Sequence, residues 1–160
     1  MLPPPPRVIR MMMIAASDGM PVVPESGKKI ESFQLAVRPN AGGKYPDVTA
    51  SSSDDILRAH DPEHPELGEG LSCSAVANEA AFQQRYGKEL AFKKNRRVWE
   101  IETSVLPNEL VVVFQKTDHD PDHYQIEPAV EMTLERFQAL LASTRHLWRL
   151  VQWNGPKERS

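Results

Sequence analysis

Two polar residues stand next to predicted strands, in positions that suit ligand binding. The alternating segment Phe33–Val37 leads into Arg38, so the strand would end at a permanently charged guanidinium, which donates a planar fork to phosphate or carboxylate. Ser72 follows Gly68–Gly70, where glycine lets a ligand approach the backbone and a serine hydroxyl can hold a ribose or carbonyl oxygen. The stretch lacks the spacing of a Walker loop, a dinucleotide fingerprint or a nucleophile elbow. Each feature also has an ordinary interpretation, a solvated strand end and a turn that enters a strand.

Histidines and carboxylates form a second group of candidates. Alternation after residue 122 places His123 and Glu127 on one strand face and Tyr124 on the other. Asp118–His123 and His60–His64 share a His-Asp-Pro pattern that could bind zinc or ferrous iron. The proline keeps a helix from placing two histidines on one face, and polar loops collect Asp-Pro through turn preference alone. We therefore predict no metal site, and a metal-dependent enzyme is kept only as an alternative.

Three further features have mainly structural interpretations. Glu100 and Glu102 share one face of a predicted strand and could divide acid and base roles, although exposed strand faces often carry alternate glutamates. The run Lys93–Arg97 could contact a phosphate backbone or an acidic partner, or form a solvated turn. Cys73, the single cysteine, has no partner in the sequence that would activate it and is expected to be a small buried residue.

The elements that would position these residues are strands with two helices. Helices are predicted over Asn78–Tyr86, with Asn78 as N-cap and Gly87 at C′, and over Leu134–Val151, with Thr133 as N-cap. A single helical turn is predicted near Ser53–Ala59. The predicted strands are Ile30–Arg38, Gly70–Ser74, Val98–Thr103, Leu110–Gln115 and Tyr124–Glu127. This order favours an α+β fold with an antiparallel or mixed sheet over a parallel βαβ array.

Composition limits the class of protein. The chain has 160 residues, a net charge of −3 and one cysteine, which excludes an internal disulfide framework and a CxxC zinc site. The slight acidity gives no signal for nucleic-acid or anionic-membrane binding, and no apolar run reaches the roughly 20 residues that span a bilayer. The apolar tract at residues 11–16 follows a proline run and is too short for a convincing signal peptide.

Domain boundaries follow from the uneven distribution of proline. Ten of the 14 prolines lie in residues 1–65, and four of them open the chain in a run that cannot continue a helix. We predict a flexible N-terminal arm over residues 1–29, one domain over 30–151 and a tail over 152–160. The Pro-rich segment between Arg38 and Ser72 is long for a loop inside a domain, and we expect it to cover the site.

Four stretches in this order resemble the Tse-two-type toxins, small type VI secretion effectors that are similar to ADP-ribosyltransferases and have fungal relatives. They are Phe33–Arg38, Gly43–Asp47, Gly70–Ser72 and His123–Ala129, the last followed by Met132 and an amphipathic helix. The resemblance spans about residues 30–150. It implies an ADP-ribosyltransferase-like α+β fold with small antiparallel or mixed sheets and flanking helices. It further implies a toxin that uses NAD as substrate and acts in the cytoplasm on a macromolecular target, with an immunity protein as a further partner.

The resemblance also implies roles for individual residues. Arg38 would anchor phosphate or ribose, Ser72 would orient the nicotinamide ribose, and His123 would complete the catalytic set. The residues that would contact the dinucleotide are Arg38, Tyr45, Leu71, Ser72, His123 and Tyr124.

Two departures from the family pattern keep a second interpretation open. Leu71 stands where the bacterial toxin has a threonine, and Val37 stands where an aromatic residue is more usual. Either Glu127 or Glu102 could supply the carboxylate that fixes the ribose. The alternative is therefore a catalytically inactive NAD- or nucleotide-binding module of the same fold.

Overall fold

The computed structural model describes residues 5–41, 45–76, 78–92, 95–115 and 122–153. Its strands are β1 (Arg7–Met13), β2 (Ile56–Leu57), β3 (Leu71–Ser74), β4 (Arg96–Glu102), β5 (Leu110–Phe114), β6 (His123–Pro128), β7 (Met132–Thr133) and β8 (Arg149–Leu150). Its α-helices are α1 (Glu79–Phe82), α2 (Lys88–Phe92) and α3 (Leu134–Ser143), and short 3-10 turns cover Pro65–Leu67, Thr103–Val105 and Arg145–Leu147.

Six of these strands form one antiparallel sheet, in the order β5-β6-β3-β1-β4-β8. The remaining pair, β2 and β7, forms a small second sheet. One face of the large sheet carries the main core, on which the buried side of α3 packs, including Phe137 and Leu141. The opposite face carries Ile9 and Met11, which pack with Phe82 of α1. The predicted α+β class with an antiparallel or mixed sheet is confirmed.

The N-terminal segment differs from the prediction of a flexible arm. Arg7–Met13 is β1, an interior strand of the large sheet, and each of its residues pairs with β4. Val8 and Met12 enter the main core, whereas Ile9 and Met11 enter the second cluster. Because β1 buries apolar side chains on both faces, it lacks the alternation that identifies a half-buried strand.

The first predicted strand, Ile30–Arg38, is an irregular segment. Leu35 and Val37 are fully buried, but Ala36 between them is buried too, at 2% exposed, so the alternation does not mark one buried and one exposed face. Their backbone groups find partners outside any strand ladder. The Leu35 amide donates to the Val22 carbonyl at 2.8 Å. The Val37 amide donates to Oε1 of Gln138, whose Nε2 donates back to the Val37 carbonyl.

The two helices are placed correctly but end elsewhere. Asn78 caps α1 as predicted, accepting from the Ala81 amide at 2.9 Å. A π turn over Gln83–Gly87 then joins α1 to α2, so Gly87 lies inside the helical segment and not at C′. Thr133 caps α3 by accepting from the Arg136 amide at 3.1 Å.

The predicted helix Leu134–Val151 is shorter in the structure. Its helical part, α3, ends at Ser143, and β8 follows it and pairs with β4. Trp148 and Val151 remain buried from this extended stretch, which is why the helical period seemed to continue. The predicted helical turn at Ser53–Ala59 is wrong, since that stretch contains β2. Across the described residues, no helix has the length and apolarity needed to cross a membrane.

Candidate active site

A cleft of about 250 Å³ opens beside the middle of the large sheet. Its walls come from β1, β3, the irregular segment around Phe33, and the helical segment. It brings together the three residues to which the sequence assigned catalysis, Arg38, Ser72 and His123. The lining residues with polar or titratable side chains are Arg10, Glu31, Ser32, Arg38, Asp47, Ser72, Cys73, Ser74, Arg85, Tyr86 and His123.

Arg10 joins two walls of the cleft. Its Nη1 donates to the Ser72 carbonyl at 2.9 Å, and its Nη2 donates to the Gln34 carbonyl at 3.0 Å. Its Nε is buried and has no hydrogen-bond partner among the described residues. Burial lowers the pKa of this guanidinium, which still remains charged at neutral pH because an arginine starts far above it. The cleft therefore contains a buried cation with one unused donor.

Arg38 is held by a carboxylate on the other side of the cleft. Its Nε and Nη2 donate to the two oxygens of Asp47 at 3.1 and 3.3 Å, and its Nη1 donates to the Ser32 hydroxyl at 3.0 Å. The Arg38 backbone amide also donates to Asp47, at 2.6 Å. This two-point ion pair fixes the plane of the guanidinium, so that the group enters the cleft in a defined orientation.

His123 has a defined tautomer in its neutral form. Its Nδ1 lies 3.0 Å from the backbone carbonyl oxygen of Gln115. Because a carbonyl can only accept, Nδ1 carries the hydrogen, and Nε2 is the acceptor nitrogen of the neutral ring. On β3 the pairing sets Ser72 opposite Gln125 and Ser74 opposite His123. The two serines and His123 therefore share one face of the sheet.

Two other predicted contact residues lie on the opposite face. Leu71 is 1% exposed and belongs to the main core, and Tyr124 packs against that core and against Phe114, with ring centroids 5.3 Å apart. Their side chains do not line the cleft, because successive side chains of a strand point to opposite faces. Of the predicted contact residues, Leu71 and Tyr124 are therefore not brought to the cleft with Ser72 and His123.

Tyr45 lies in an adjoining groove and not in the cleft itself. This groove has a volume of about 750 Å³ and shares Glu31, Ser32 and Arg38 with the cleft. Tyr45 is 67% exposed there. Gly43 and Lys44, from the same motif, lie outside the described residues.

Neither glutamate considered for the ribose carboxylate lines the cleft. Glu102 lines a separate cavity with Glu100 and Arg7, and Glu100 forms an ion pair with Arg7. Glu127 is 1% exposed and borders another cavity. Among the described residues of the cleft, the carboxylates are Glu31 and Asp47.

The remaining sequence hypotheses are resolved in part. No three His, Cys, Asp or Glu residues in the described part of the chain are grouped to hold a metal ion, and residues 118–121 of the second His-Asp-Pro segment lie outside that part. From the basic run, Arg96 belongs to β4, and its guanidinium lies 3.8 Å from the ring centroid of Phe33 in the cleft wall. Phe33 itself has a positive φ of 67°.

Sequence reasoning missed several cleft residues, above all Arg10, Arg85 and Tyr86. Arg10 is flanked by Ile9 and Met11, and a charged residue between apolar neighbours of a strand was the available signal. The predicted domain boundaries place Arg10 in the N-terminal arm. Arg85 and Tyr86 reach the cleft because the π turn between α1 and α2 packs over the sheet. A sequence motif does not reveal this packing.

The large antiparallel sheet and its flanking helices define a small α+β protein. A family model described as Tse2 ADP-ribosyltransferase toxin matches residues 26–153, and the chain belongs to this family. The matched range covers most of the chain but not β1, the strand that carries Arg10. Comparisons with curated proteins and with solved structures gave no match.

Proposed function

We propose that the protein is a toxin that binds NAD in the cleft and cleaves the nicotinamide–ribose bond, transferring ADP-ribose to a macromolecular target or to water. The observation that carries this proposal is the convergence of Arg38, Ser72 and His123 on one cleft in a member of an ADP-ribosyltransferase toxin family. Cleavage of that bond builds positive charge on the ribose ring, as in glycoside hydrolysis.

The polar groups of the cleft match the needs of this reaction. Arg10, Arg38 and Arg85 supply guanidinium groups for the pyrophosphate, which is bound well by planar donors. The Ser72 hydroxyl would hold the nicotinamide ribose, and Nε2 of neutral His123 would accept from a ribose hydroxyl. Glu31 and Asp47 are the carboxylates among the described cleft residues, and they would supply the negative charge that stabilises a developing cation.

A measurement of nicotinamide release from NAD tests the proposal. We expect Arg38→Ala and Ser72→Ala each to lower turnover at least tenfold, because each removes a group that orients the substrate. The matched control is Arg136→Ala, whose guanidinium pairs with Glu109 on the surface at 2.7 Å and which should leave turnover unchanged. Thermal unfolding of all variants separates lost chemistry from lost fold. Normal turnover in both cleft variants would contradict the site.

A second candidate, an inactive NAD-binding module, is favoured by one observation. Both glutamates that could have fixed the ribose, Glu102 and Glu127, border other cavities. Calorimetry with NAD separates the candidates, because binding without nicotinamide release identifies the module. Wild-type protein that neither binds nor cleaves NAD would contradict both.

The proposed biological setting of the toxin rests on its substrate and on what membership of the toxin family implies. NAD and a macromolecular acceptor are available together in the cytoplasm of a target cell, so we place its action there, as a type VI effector neutralised by an immunity protein in the producing cell. Expression inside bacterial or yeast cells should stop growth, and Arg38→Ala should restore it. Unimpaired growth with well-expressed wild-type protein would contradict the toxin role.

A further inference from the structure

Glu127 is a buried carboxylate for which the proposed reaction has no use. Its side chain is 1% exposed, although it stands on β6 only four residues from His123. It borders a second cavity, of about 630 Å³, whose lining includes Asp61, Glu69 and Glu131. Burial of a charge is costly unless the charge is paired and hydrogen-bonded, so the contacts of this carboxylate show what it is for.

Three side chains contact the Glu127 carboxylate. His60 Nδ1 lies 3.2 Å from Oε1, and Gln115 Nε2 donates to Oε2 at 3.1 Å. The Gln125 amide, oriented with its nitrogen toward the two acceptors, donates to the same Oε2 at 3.0 Å and to the Gly68 carbonyl at 3.3 Å. The carboxylate therefore joins β5 and β6 to the segment that runs from His60 to Gly70.

That segment lies directly on the carboxylate. A Cβ added to Gly68 would lie 2.5 Å from each oxygen of Glu127, so a glycine is needed for this approach. The segment has further bonds to the same strands, since the His60 amide donates to the Pro128 carbonyl at 2.8 Å and Gln115 Nε2 donates to the Pro65 carbonyl at 2.6 Å. Glu127 is thus the centre of a polar cluster that fastens the segment to the sheet.

The fastened segment leads straight into the cleft. Gly70 is followed by β3, where Ser72 pairs with Gln125, one of the residues bonded to Glu127. We propose that Glu127 is a positioning residue that, with His60, Gln115 and Gln125, holds the His60–Gly70 segment on β6 and thereby sets Ser72 in the cleft. This inference rests on the proposed function for the role of Ser72, but the cluster itself can be tested without NAD.

A glutamate at this position could either contact the substrate or position other residues, and the two roles make different demands on its side chain. A carboxylate that contacts the substrate must keep its charge near the reacting ribose, so its amide analogue should be inactive. A positioning carboxylate at this site needs acceptors for Gln115 and Gln125 and a partner for His60. The amide of Glu127→Gln supplies these, because its oxygen accepts and its nitrogen donates to a neutral imidazole.

Hydrogen exchange and kinetics on full-length variants test the proposal. We expect Glu127→Ala to speed amide exchange in residues 60–72 at least tenfold and to lower kcat for NAD cleavage at least tenfold, with KM changed less than threefold. Glu127→Gln should keep both exchange and kcat within threefold of wild type. Glu131→Gln, an exposed glutamate of the same cavity, is the matched control and should change neither.

Each result either supports or overturns the proposal. Wild-type exchange in Glu127→Ala would overturn it, and loss of turnover in Glu127→Gln with wild-type exchange would make Glu127 a substrate-contacting carboxylate instead. If Glu127→Ala does not fold, His60→Ala takes its place and should speed exchange in the same residues. If wild-type protein does not cleave NAD, the proposed function fails, while exchange in residues 60–72 still decides whether Glu127 holds the segment.

Discussion

The cleft and the cavity beside Glu127 have opposite charges. Among the described residues that line the cleft there are three arginines and two carboxylates, whereas the described lining of the other cavity has four carboxylates and one arginine. The two regions share one strand, since β6 contributes His123 to the cleft and Glu127 to the cavity.

The difference lies in how each region uses its polar groups. In the cleft, Arg10 keeps a buried Nε donor without a partner among the described residues, and neutral His123 keeps an acceptor nitrogen. In the cavity, the Glu127 carboxylate is bonded to three side chains of the protein. Burial and hydrogen-bond partners, more than residue type, therefore decide whether a polar group is available to a ligand or stabilises the fold.

The largest effect on stability should come from substitution of Gly70, the glycine at which the His60–Gly70 segment enters the sheet. A Cβ at Gly70 would lie 2.1 Å from the Ile126 carbonyl oxygen, and backbone on β6 cannot move without breaking the β3–β6 pairing. We expect Gly70→Ala to lower the free energy of unfolding by about 3 kcal/mol or more, measured by denaturant titration. The control is Ala81→Gly in α1, which should cost about 1 kcal/mol. A Gly70→Ala protein as stable as wild type would contradict the close contact.

Substitution of Arg10 should have a smaller effect on stability and should also weaken ligand binding, because this residue both supports the fold and lines the cleft. Arg10→Lys keeps the charge but loses the fork, so that one of two carbonyls, on Ser72 or Gln34, loses its donor. We expect the free energy of unfolding to fall by about 1–3 kcal/mol and NAD affinity to fall in calorimetry. Arg38→Lys is the comparison, because Arg38 is bonded to Asp47 at a more exposed position, and it should lose affinity with less loss of stability. Equal stability losses in the two variants would contradict the inference that Arg10 supports the fold more than Arg38 does.

Much of the sheet could be predicted because its signals are local. Strands β3 to β6 were predicted to within a few residues from alternation and apolar runs, and the caps Asn78 and Thr133 from residue type and position. Strand β1 was missed because an interior strand lacks a polar face to reveal its period. The alternation at residues 33–37 predicted a strand with one buried face, whereas residues 34–37 are all buried in an irregular segment.

The site residues could be predicted only where a short sequence motif identified them. Arg38, Ser72 and His123 were found through their motifs, whereas Arg10 takes its role from carbonyls 62 and 24 residues away. Leu71 and Tyr124 were assigned to the site because they neighbour Ser72 and His123 in the motifs, and the pleat of the sheet then separated them from it. A motif predicts which strands meet but not which side chains face the ligand.

The pH dependence of stability should reveal the cost of burying Glu127. Burial raises the pKa of its carboxyl above the ordinary value of 4.5, despite the opposing effects of Gln115 and His60, and Glu69 raises it further. The folded protein therefore binds this proton more tightly than the unfolded chain, so the stability contributed by Glu127 is full below pH 4.5 and falls as pH rises through the folded-state pKa.

We expect Glu127→Gln, which does not titrate, to gain stability relative to wild type between pH 4 and 8. The gain should appear as a Tm difference between the two proteins that grows as pH rises through the folded-state pKa of Glu127. The control Glu131→Gln should show the wild-type pH profile. A Tm difference between Glu127→Gln and wild type that stays constant over this range would contradict the raised pKa.

Cys73 should give the smallest effect, because its side chain is buried in the main core, on the face of β3 that also carries Leu71, and has no chemistry available to it. Burial raises the pKa of the thiol to about 12, and its Sγ lies 3.6 Å from the Leu71 carbonyl. At pH 8 almost no thiolate is present, and thiolate is the reactive form. Iodoacetamide should therefore label Cys73 only after unfolding in denaturant, and Cys73→Ala should change NAD turnover less than twofold. Rapid labelling of the folded protein at pH 8 would show an accessible, activated cysteine and would contradict both its burial and its raised pKa.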